Sequence, residues 1–307
     1  MEDIAVSVIL INYNTLSFTE QCIKSIATNT KINYEIIVVE NNSSDKDKIA
    51  RLEEQYNFVK VIISKTNLGF GGGNNLGVRN ASGKYILILN NDTIVYPDTI
   101  DNIKKILDES DNKTIITGFI EGSNGSIQPS GGEEPRILAE IMRFGFFLIK
   151  HVSNPYYDGY YFFPKENEKL RNVDWAPGCF FAMTKKFYKD LNGFDEKMFM
   201  YVEDVEFHKR ARLKGGKIIF CPDIRIKHFG MQTSKNYESV ILKSEYKNTV
   251  YYFKKHSSIF SSVLFYFVSK SIFIIWYLLF GLGSILPSQY KIKIQSKRDI
   301  FKTLFLA

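Results

Sequence analysis

Four short apolar runs, dominated by Val, Ile and Leu, recur in the N-terminal part of the chain at 6–11, 35–39, 59–63 and 85–89. Runs this short and this apolar predict strands buried on both faces of a parallel sheet. Segments with helical spacing of apolar positions lie between them, at about 18–27, 46–56 and 73–80, and another follows at 97–107. Pro97 fits the first turn of that last helix, where a missing N–H costs nothing. Alternation of strand and helix predicts βαβ units, an α/β fold with a mostly parallel sheet flanked by helices. Ligands of such sheets sit at the carboxyl ends of the strands. Polar clusters at 12–15, 40–45, 67–73 and 90–93 all fall there.

The pattern lapses over 119–165, where Gly/Ser/Pro loops and an aromatic stretch around 144–163 offer no period long enough to assign elements. It resumes within 175–228, with a strand at 179–183, a helix at 185–190, a loop at 193–200, a helix at 204–213 and a strand at 217–220. Near the C-terminus, 259–286 carries a single charge, Lys270, and its uninterrupted part, 271–286, stops at Pro287. A membrane crossing needs roughly 20 apolar residues. Basic residues flank both ends, Lys254 and Lys255 before, Lys291, Lys293, Lys297 and Arg298 after. A single crossing would carry one basic cluster outward, against the positive-inside tendency, so in-plane or re-entrant association with the cytoplasmic leaflet is expected. A buried core helix or a dimer interface is the alternative use of the same segment.

At 307 residues the chain can bury one or two cores, and its 45% apolar and 24% charged content is that of an ordinary globular protein. The net charge of +7 is uneven. Residues 235–307 hold eleven Lys/Arg and three Asp/Glu, a balance of +8, which leaves 29 basic and 30 acidic residues, −1, in 1–234. Because the basic tail brackets the most apolar stretch instead of alternating with aromatics, it points to an anionic membrane surface and not to nucleic acid. Cys22, Cys179 and Cys221 form no CxxC pair, which fits a reducing cytoplasm. The opening Met1-Glu2-Asp3 leads straight into a strand pattern without the basic and long apolar regions of a secretion signal.

Chemistry-bearing residues collect at a few places. Asp92, in Asn90-Asn91-Asp92 after the fourth run, can ligate a hard cation such as Mg²⁺ or Mn²⁺, or make an Asx turn into the next helix. Glu203-Asp204 opens a helix; carboxylates are favoured there by the helix dipole, and one aimed into a cleft can serve as a general base. His228 suits a structural hydrogen bond or the completion of a metal site with Asp92. Glu40, in 40–45, can accept the imide N–H of a pyrimidine base or cap the next helix. The Gly-rich run 67–77 follows the third strand, not the first as a dinucleotide fingerprint would. Its glycines permit close ligand approach, and its Asn side chains can bond a ribose or pyrophosphate.

Taken together, VILINYNT, ENNSSD, NLGFGGGNN, LNND, DWAPGC, GFDE, FMYVED and the final His228 resemble the family 2 inverting glycosyltransferases of GT-A fold over nearly all of 4–230. Their order and spacing are most similar to the rhamnosyltransferase-like branch. The resemblance implies a Rossmann-like GT-A catalytic domain over 1–234, with a nucleotide-sugar half (about 1–118) and an acceptor half (about 119–234), followed by a helical, membrane-associating tail, 235–307. It implies that Tyr13, Glu40, Asn67, Gly69, Asn75, Asn91 and Asp92 face the nucleotide sugar, with Glu40 reading the base. Asp92 and His228 would hold the divalent metal, Mg²⁺ or Mn²⁺. Asp204 would be the base, Glu203 its neighbour contacting donor or acceptor, and Asp174 and Trp175 would line the acceptor side. Asn90 departs from the pattern: it is neutral where the first aspartate of a D-x-D pair stands. The implied activity is inverting transfer of a sugar, L-rhamnose from its dTDP form, onto a lipid-linked or polysaccharide acceptor at the cytoplasmic face of the cell membrane. A UDP-hexose or UDP-galactofuranose donor is the alternative within the class, and an inactive membrane scaffold or sugar-binding module the alternative outside it.

Overall fold

The computed structural model describes residues 3–44, 48–146, 160–230, 238–282 and 298–307. The chain folds as two compact units, 1–134 with 161–233, and 135–160 with 234–307. Residues 135–160, placed in the acceptor half on sequence grounds, thus group with the C-terminal segment.

The elements run β1 (Val6–Asn12), α1 (Leu16–Asn29), β2 (Tyr34–Glu40), α2 (Arg51–Gln55), β3 (Val59–Ile63), α3 (Gly69–Asn80), β4 (Tyr85–Leu89), β5 (Thr93–Val95), α4 (Thr99–Asp108), β6 (Thr114–Gly122), β7 (Ile127–Gln128) and α5 (Ile137–Phe146). They continue with β8 (Arg171–Val173), β9 (Phe180–Thr184), α6 (Lys185–Asp190), α7 (Glu203–Leu213), β10 (Lys217–His228), α8 (Glu238–His256) and α9 (Ile259–Leu282). All strands among the described residues join one sheet, ordered β3-β2-β1-β4-β9-β6-β10-β5, with β7 on β6 and β8 on β10. The four apolar runs pair in parallel, as do β6 and β10, and β9 inserts antiparallel between β4 and β6. Successive side chains of β1 go to opposite faces. Val6, Val8 and Leu10 belong to one core cluster with Cys22, Ile23 and Ile26 of α1, while Ile9 belongs to a second with Val78 of α3, Phe181 and Phe207. Each such burial is worth about 1.5–3 kcal/mol.

Four departures from the sequence expectation have local causes. α3 begins at Gly69 and so absorbs the glycines expected as loop. α4 begins after Pro97, because Asp98 takes a left-handed φ of 59° and breaks the chain direction there. β6 reaches Gly122, into a stretch that showed no period. β10 runs on to His228, its register on β6 shifting between Phe220 and Arg225. Pro222 lies inside that shift; a proline cannot donate to a ladder, so the strand looks finished in the sequence when it is only interrupted.

In the second unit, Arg143 of α5 pairs with Glu140 at 2.7 Å and with Glu245 of α8 at 2.5 Å. Tyr246 of α8 and Ser269 of α9 share a hydrogen bond of 2.8 Å. Lys270, the lone charge in α9, is buried and donates to the carbonyls of Leu304 and Phe305 at 3.1 and 2.5 Å. One stripe of α9 (Phe265, Ser269, Phe273) is buried, and another (Phe260, Leu264, Phe267, Ile274, Leu278) is exposed. By length and composition, Ile259–Gly281 is sufficient to cross a membrane, with a mean hydropathy of 2.0 and 22% of its most apolar window buried. Residues 46–47, most of the aromatic stretch 144–163, Pro287, Lys291, Lys293 and Lys297 lie outside the described residues.

Candidate functional site

The carboxyl ends of β1, β2 and β4 carry Asn12, Glu40 and the 90–92 turn. Glu40 is fully buried; its Oε2 accepts from Asn12 Nδ2 at 2.5 Å and its Oε1 from the Ser43 amide at 2.5 Å. Ser43 Oγ in turn accepts from the Asn14 amide at 2.9 Å, which shapes the turn that leaves Tyr13 exposed. Asn91 does not aim outward: its Nδ2 donates to the hydroxyls of Thr15 and Thr19, each at 2.7 Å, and so ties the 90–92 turn to α1.

Asp92, beside it, is nearly buried and lies with Oδ1 3.3 Å from His228 Nε2. The Phe229 amide donates to the Asp92 carbonyl at 2.9 Å and fixes the end of β10 against the turn. His228 Nδ1 meets Gln128 Oε1 at 2.9 Å, which leaves Nε2 directed at Asp92 and, at 3.3 Å, at the side-chain Nδ2 of Asn90. Burial opposes a charge on His228, but the Cys179 sulfur and the Asp92 carboxylate outweigh it and push the imidazole up to about 10. An imidazolium Nε2 has no lone pair for a metal, so the pair could hold a divalent cation only if that ion displaced the Nε2 proton; two ligands about 2.1 Å from such an ion at right angles would lie roughly 3 Å apart. No cluster of three or more His, Cys, Asp or Glu exists among the described residues. The pair would therefore need diphosphate oxygens and water to complete a metal's shell, the usual arrangement for a substrate-bound Mg²⁺. With that proton displaced, the donor set fits.

The glycine-rich segment joins distant parts of the first unit. Asn41 and Asn67 clasp it: Asn41 Nδ2 donates to Asn67 Oδ1 at 3.0 Å, and Asn67 Oδ1 also accepts the Gly69 amide at 2.9 Å. Gly69 has φ +70°, and a Cβ there would meet the Phe199 carbonyl at 2.1 Å, so only glycine lets residues 199 and 69 pass. Asn75 is a correction to expectation. Its amide nitrogen donates to the Phe194 carbonyl and Glu196 at 3.0 and 2.9 Å; its oxygen accepts from Tyr188 and the Phe194 amide at 2.7 and 2.8 Å. No polar valence remains for a ribose or pyrophosphate; Asn75 pins α3 to the 188–196 segment.

Asp204, in the first turn of α7, is partly exposed. Its Oδ2 accepts the Gly178 amide at 2.9 Å and its Oδ1 the Val205 amide at 2.8 Å. Cys179, the next residue after Gly178, accepts the Asn90 amide on its carbonyl at 3.0 Å. The Gly178–Cys179 pair thereby links Asp204 to the Asp92–His228 turn. Glu203 is 5% exposed, and its Oε2 is buried without a partner. Trp175, expected to line an acceptor, is buried: its Nε1 donates to the Glu133 carbonyl at 2.9 Å and its ring meets Tyr161 edge-on. Asp174 accepts the Glu134 amide at 2.8 Å and lies 3.6 Å from Arg212, within an ion network that also joins Lys209 to Glu134. Gln128 has no signal in the sequence, and Gly178 stands in the DWAPGC motif without a role assigned to it. Gln128 sits on a two-residue strand with no periodic signal, and Gly178 acts through its backbone.

A mixed, mostly parallel sheet flanked by helices, with its polar turns at one end, is the architecture of the GT-A glycosyltransferases. Solved structures agree: a GalNAc-T7 structure with UDP, GalNAc and Mn²⁺ (TM-score 0.59, 16% identity, covering 82% of this chain and 48% of that one) and S. aureus TarS 1–349 with UDP (0.55, 15%, 98% and 89%). The chain belongs to glycosyl transferase family 2, whose model matches residues 7–191; a second model, the N-terminal domain of galactosyltransferase, matches 165–235. It is 22% identical over 268 residues to the N-acetylglucosaminyl-diphospho-decaprenol L-rhamnosyltransferase of Mycobacterium tuberculosis, covering 81% of this chain and 84% of that protein. Matches to uncharacterized glycosyltransferases of Haemophilus influenzae and Rickettsia species are 34–37% identical but span only 19–36% of those proteins' lengths.

Proposed function

We propose that the protein is an inverting glycosyltransferase that moves a sugar from a nucleotide donor onto a lipid-linked or polysaccharide acceptor. The observation that carries this reading is the partly exposed Asp204, joined through Gly178–Cys179 to the Asp92–His228 pair. Asp204 takes the proton of an acceptor hydroxyl as that oxygen attacks the anomeric carbon. The new C–O bond forms opposite the breaking bond to phosphate, and the nucleoside diphosphate leaves with the bonding pair. One displacement inverts the anomeric centre and needs no covalent intermediate. The Gly178 and Val205 amides hold the Asp204 carboxylate in place, and Asp92 and His228 are the residues that would hold a divalent cation. Such an ion neutralises charge on a departing diphosphate.

The long match to a rhamnosyltransferase supports dTDP-L-rhamnose as donor. The two UDP-bound structural neighbours favour a UDP-hexose as the second reading. The exposed stripe of α9 and the exposed Lys254 and Lys255 just before it support a peripheral or monotopic place on an anionic, cytoplasmic membrane surface. Release of free nucleotide from a panel of dTDP- and UDP-sugars, with and without Mn²⁺, tests the reading. Release from dTDP-rhamnose alone is expected; release from none of them in the presence of extracted lipid acceptors would reject it.

A further inference from the structure

Glu203 and Asp204 are consecutive but sit in opposite environments. Asp204 is partly exposed and receives two backbone N–H groups, whereas Glu203 is buried with Oε2 unpartnered. Among the described residues no Lys, Arg or His pairs with Glu203, and Asp204 is the ionisable side chain whose charge acts on it. A buried carboxylate with neither counter-charge nor full hydrogen bonding is unstable, and taking up a proton relieves it. Burial first, and then the Asp204 charge, hold the Glu203 carboxyl well above the usual range.

The backbone around the pair is fixed from both sides. Tyr201 and Val202 have φ values of +71° and +70°, a conformation that a β-branched residue rarely adopts. The Glu206 amide then donates to the Val202 carbonyl at 2.9 Å and closes the first turn of α7. The fully buried Glu206 takes Arg210 Nε on both oxygens at 2.9 Å, and Arg210 Nη2 donates to the Gly193 carbonyl at 2.8 Å. Strain is retained at such a turn only where surrounding structure over-determines it.

We propose that Glu203 works as a neutral carboxylic acid, a positioning residue that packs at the head of α7 and adds no second charge directly beside Asp204. It is then neither a second base nor a carboxylate that grips the sugar. The inference rests on the reading of Asp204 as the base. Ionising Glu203 would set a second charge against Asp204 in an apolar setting, so turnover should fall on the alkaline side as Glu203 loses its proton.

Glu203→Gln keeps the shape and the neutrality, and Glu203→Ala removes both. In the full-length chain, the Gln variant should lower nucleotide release by less than about tenfold and move or abolish the alkaline fall. The Ala variant, which frees the helix start to shift, should lose about a hundredfold or more. A Gln variant as inactive as the Ala variant would overturn the proposal. Thermal melting against pH is a second, activity-free arm. Unfolded, the carboxyl ionises above its ordinary 4.5; folded, it keeps its proton well beyond that. Native stability therefore falls as pH rises through that window, because the native state binds the extra proton. Glu203→Gln should flatten this slope and melt above wild type at alkaline pH. A slope that persists unchanged sinks the neutral-acid assignment alone, whereas a wild-type chain that releases no nucleotide from any donor sinks the transferase reading and with it the catalytic half of this one.

Discussion

Two buried glutamates, Glu40 at the end of β2 and Glu203 at the head of α7, show how differently one residue type is used. Glu40 has hydrogen bonds to both oxygens, from Asn12 and Ser43, and so joins two strand ends and a turn. Glu203 has one oxygen with nothing to bond. A buried polar group that is fully satisfied is part of the frame, and one left unsatisfied marks a place where stability was given up. The partly exposed carboxylate next to the unsatisfied one, Asp204, is where chemistry is expected.

The largest effect should come from that neighbour. Asp204→Asn keeps the size and hydrogen-bonding shape but cannot accept the acceptor's proton. Turnover should fall about two to four decades, the usual cost of losing a general base, while nucleotide-sugar binding by calorimetry stays close to wild type. Retention of half the wild-type rate would move the base elsewhere.

Glu40→Gln breaks the comparison from the other side. One oxygen becomes an NH₂ group facing a donor, either Asn12 Nδ2 or the Ser43 amide, so a buried clash of donors replaces a charge-assisted bond. The expected loss is about 1–3 kcal/mol in denaturant unfolding. Gln at 203, by contrast, should cost nothing at neutral pH. If both changes destabilise equally, the contrast between satisfied and unsatisfied glutamates is wrong.

Much of the frame was legible in the sequence, and the reasons are physical. The four apolar runs became β1 to β4 because strands buried on two faces need continuous apolar sequence. β10 looks shorter in the sequence than it is, because Pro222 interrupts its ladder before the strand resumes to deliver His228. Without that continuation His228 has no visible reason to stand 3.3 Å from Asp92. Gln128, the partner of His228, was invisible because a two-residue strand has no period. Asn75 misled for another reason. An Asn in a glycine-rich loop offers four hydrogen-bond sites to any taker, and here Tyr188, Phe194 and Glu196 use them all. Composition cannot tell whether a polar side chain will be used by the fold or left for a ligand.

Asp92→Ala tests whether the turn after β4 takes a ligand. Affinity for a nucleoside diphosphate should drop about tenfold or more in the presence of Mn²⁺ and much less without it, since one of two candidate protein ligands is gone. Equal affinities in all four measurements would return Asp92 to the role of an Asx turn. His228→Gln should behave alike, and because the two side chains touch, the double variant should lose less than the sum.

The smallest effect extends the comparison to the second unit, where α9 is likewise split between a satisfied and an unsatisfied side. Its buried stripe packs around Phe265, Ser269 and Phe273, and Lys270 is engaged by the Leu304 and Phe305 carbonyls, so removing that stripe would unfold the unit. The exposed stripe has no such duty. Lys254→Gln with Lys255→Gln removes two exposed charges at the end of α8 without touching either stripe. Near an anionic surface each Lys contributes about 1 kcal/mol, so binding to anionic vesicles should weaken by roughly thirtyfold in total at low salt. At high salt, wild type and variant should converge on the same residual binding, because screening removes the charge contribution and leaves the apolar one. Replacing Phe260, Leu264 and Phe267 with Ser should instead abolish flotation at both salt concentrations while melting stays unchanged. A triple variant that floats as wild type would place the exposed stripe against something other than lipid, and one that aggregates or melts early would assign it to the core or to a second copy of the chain.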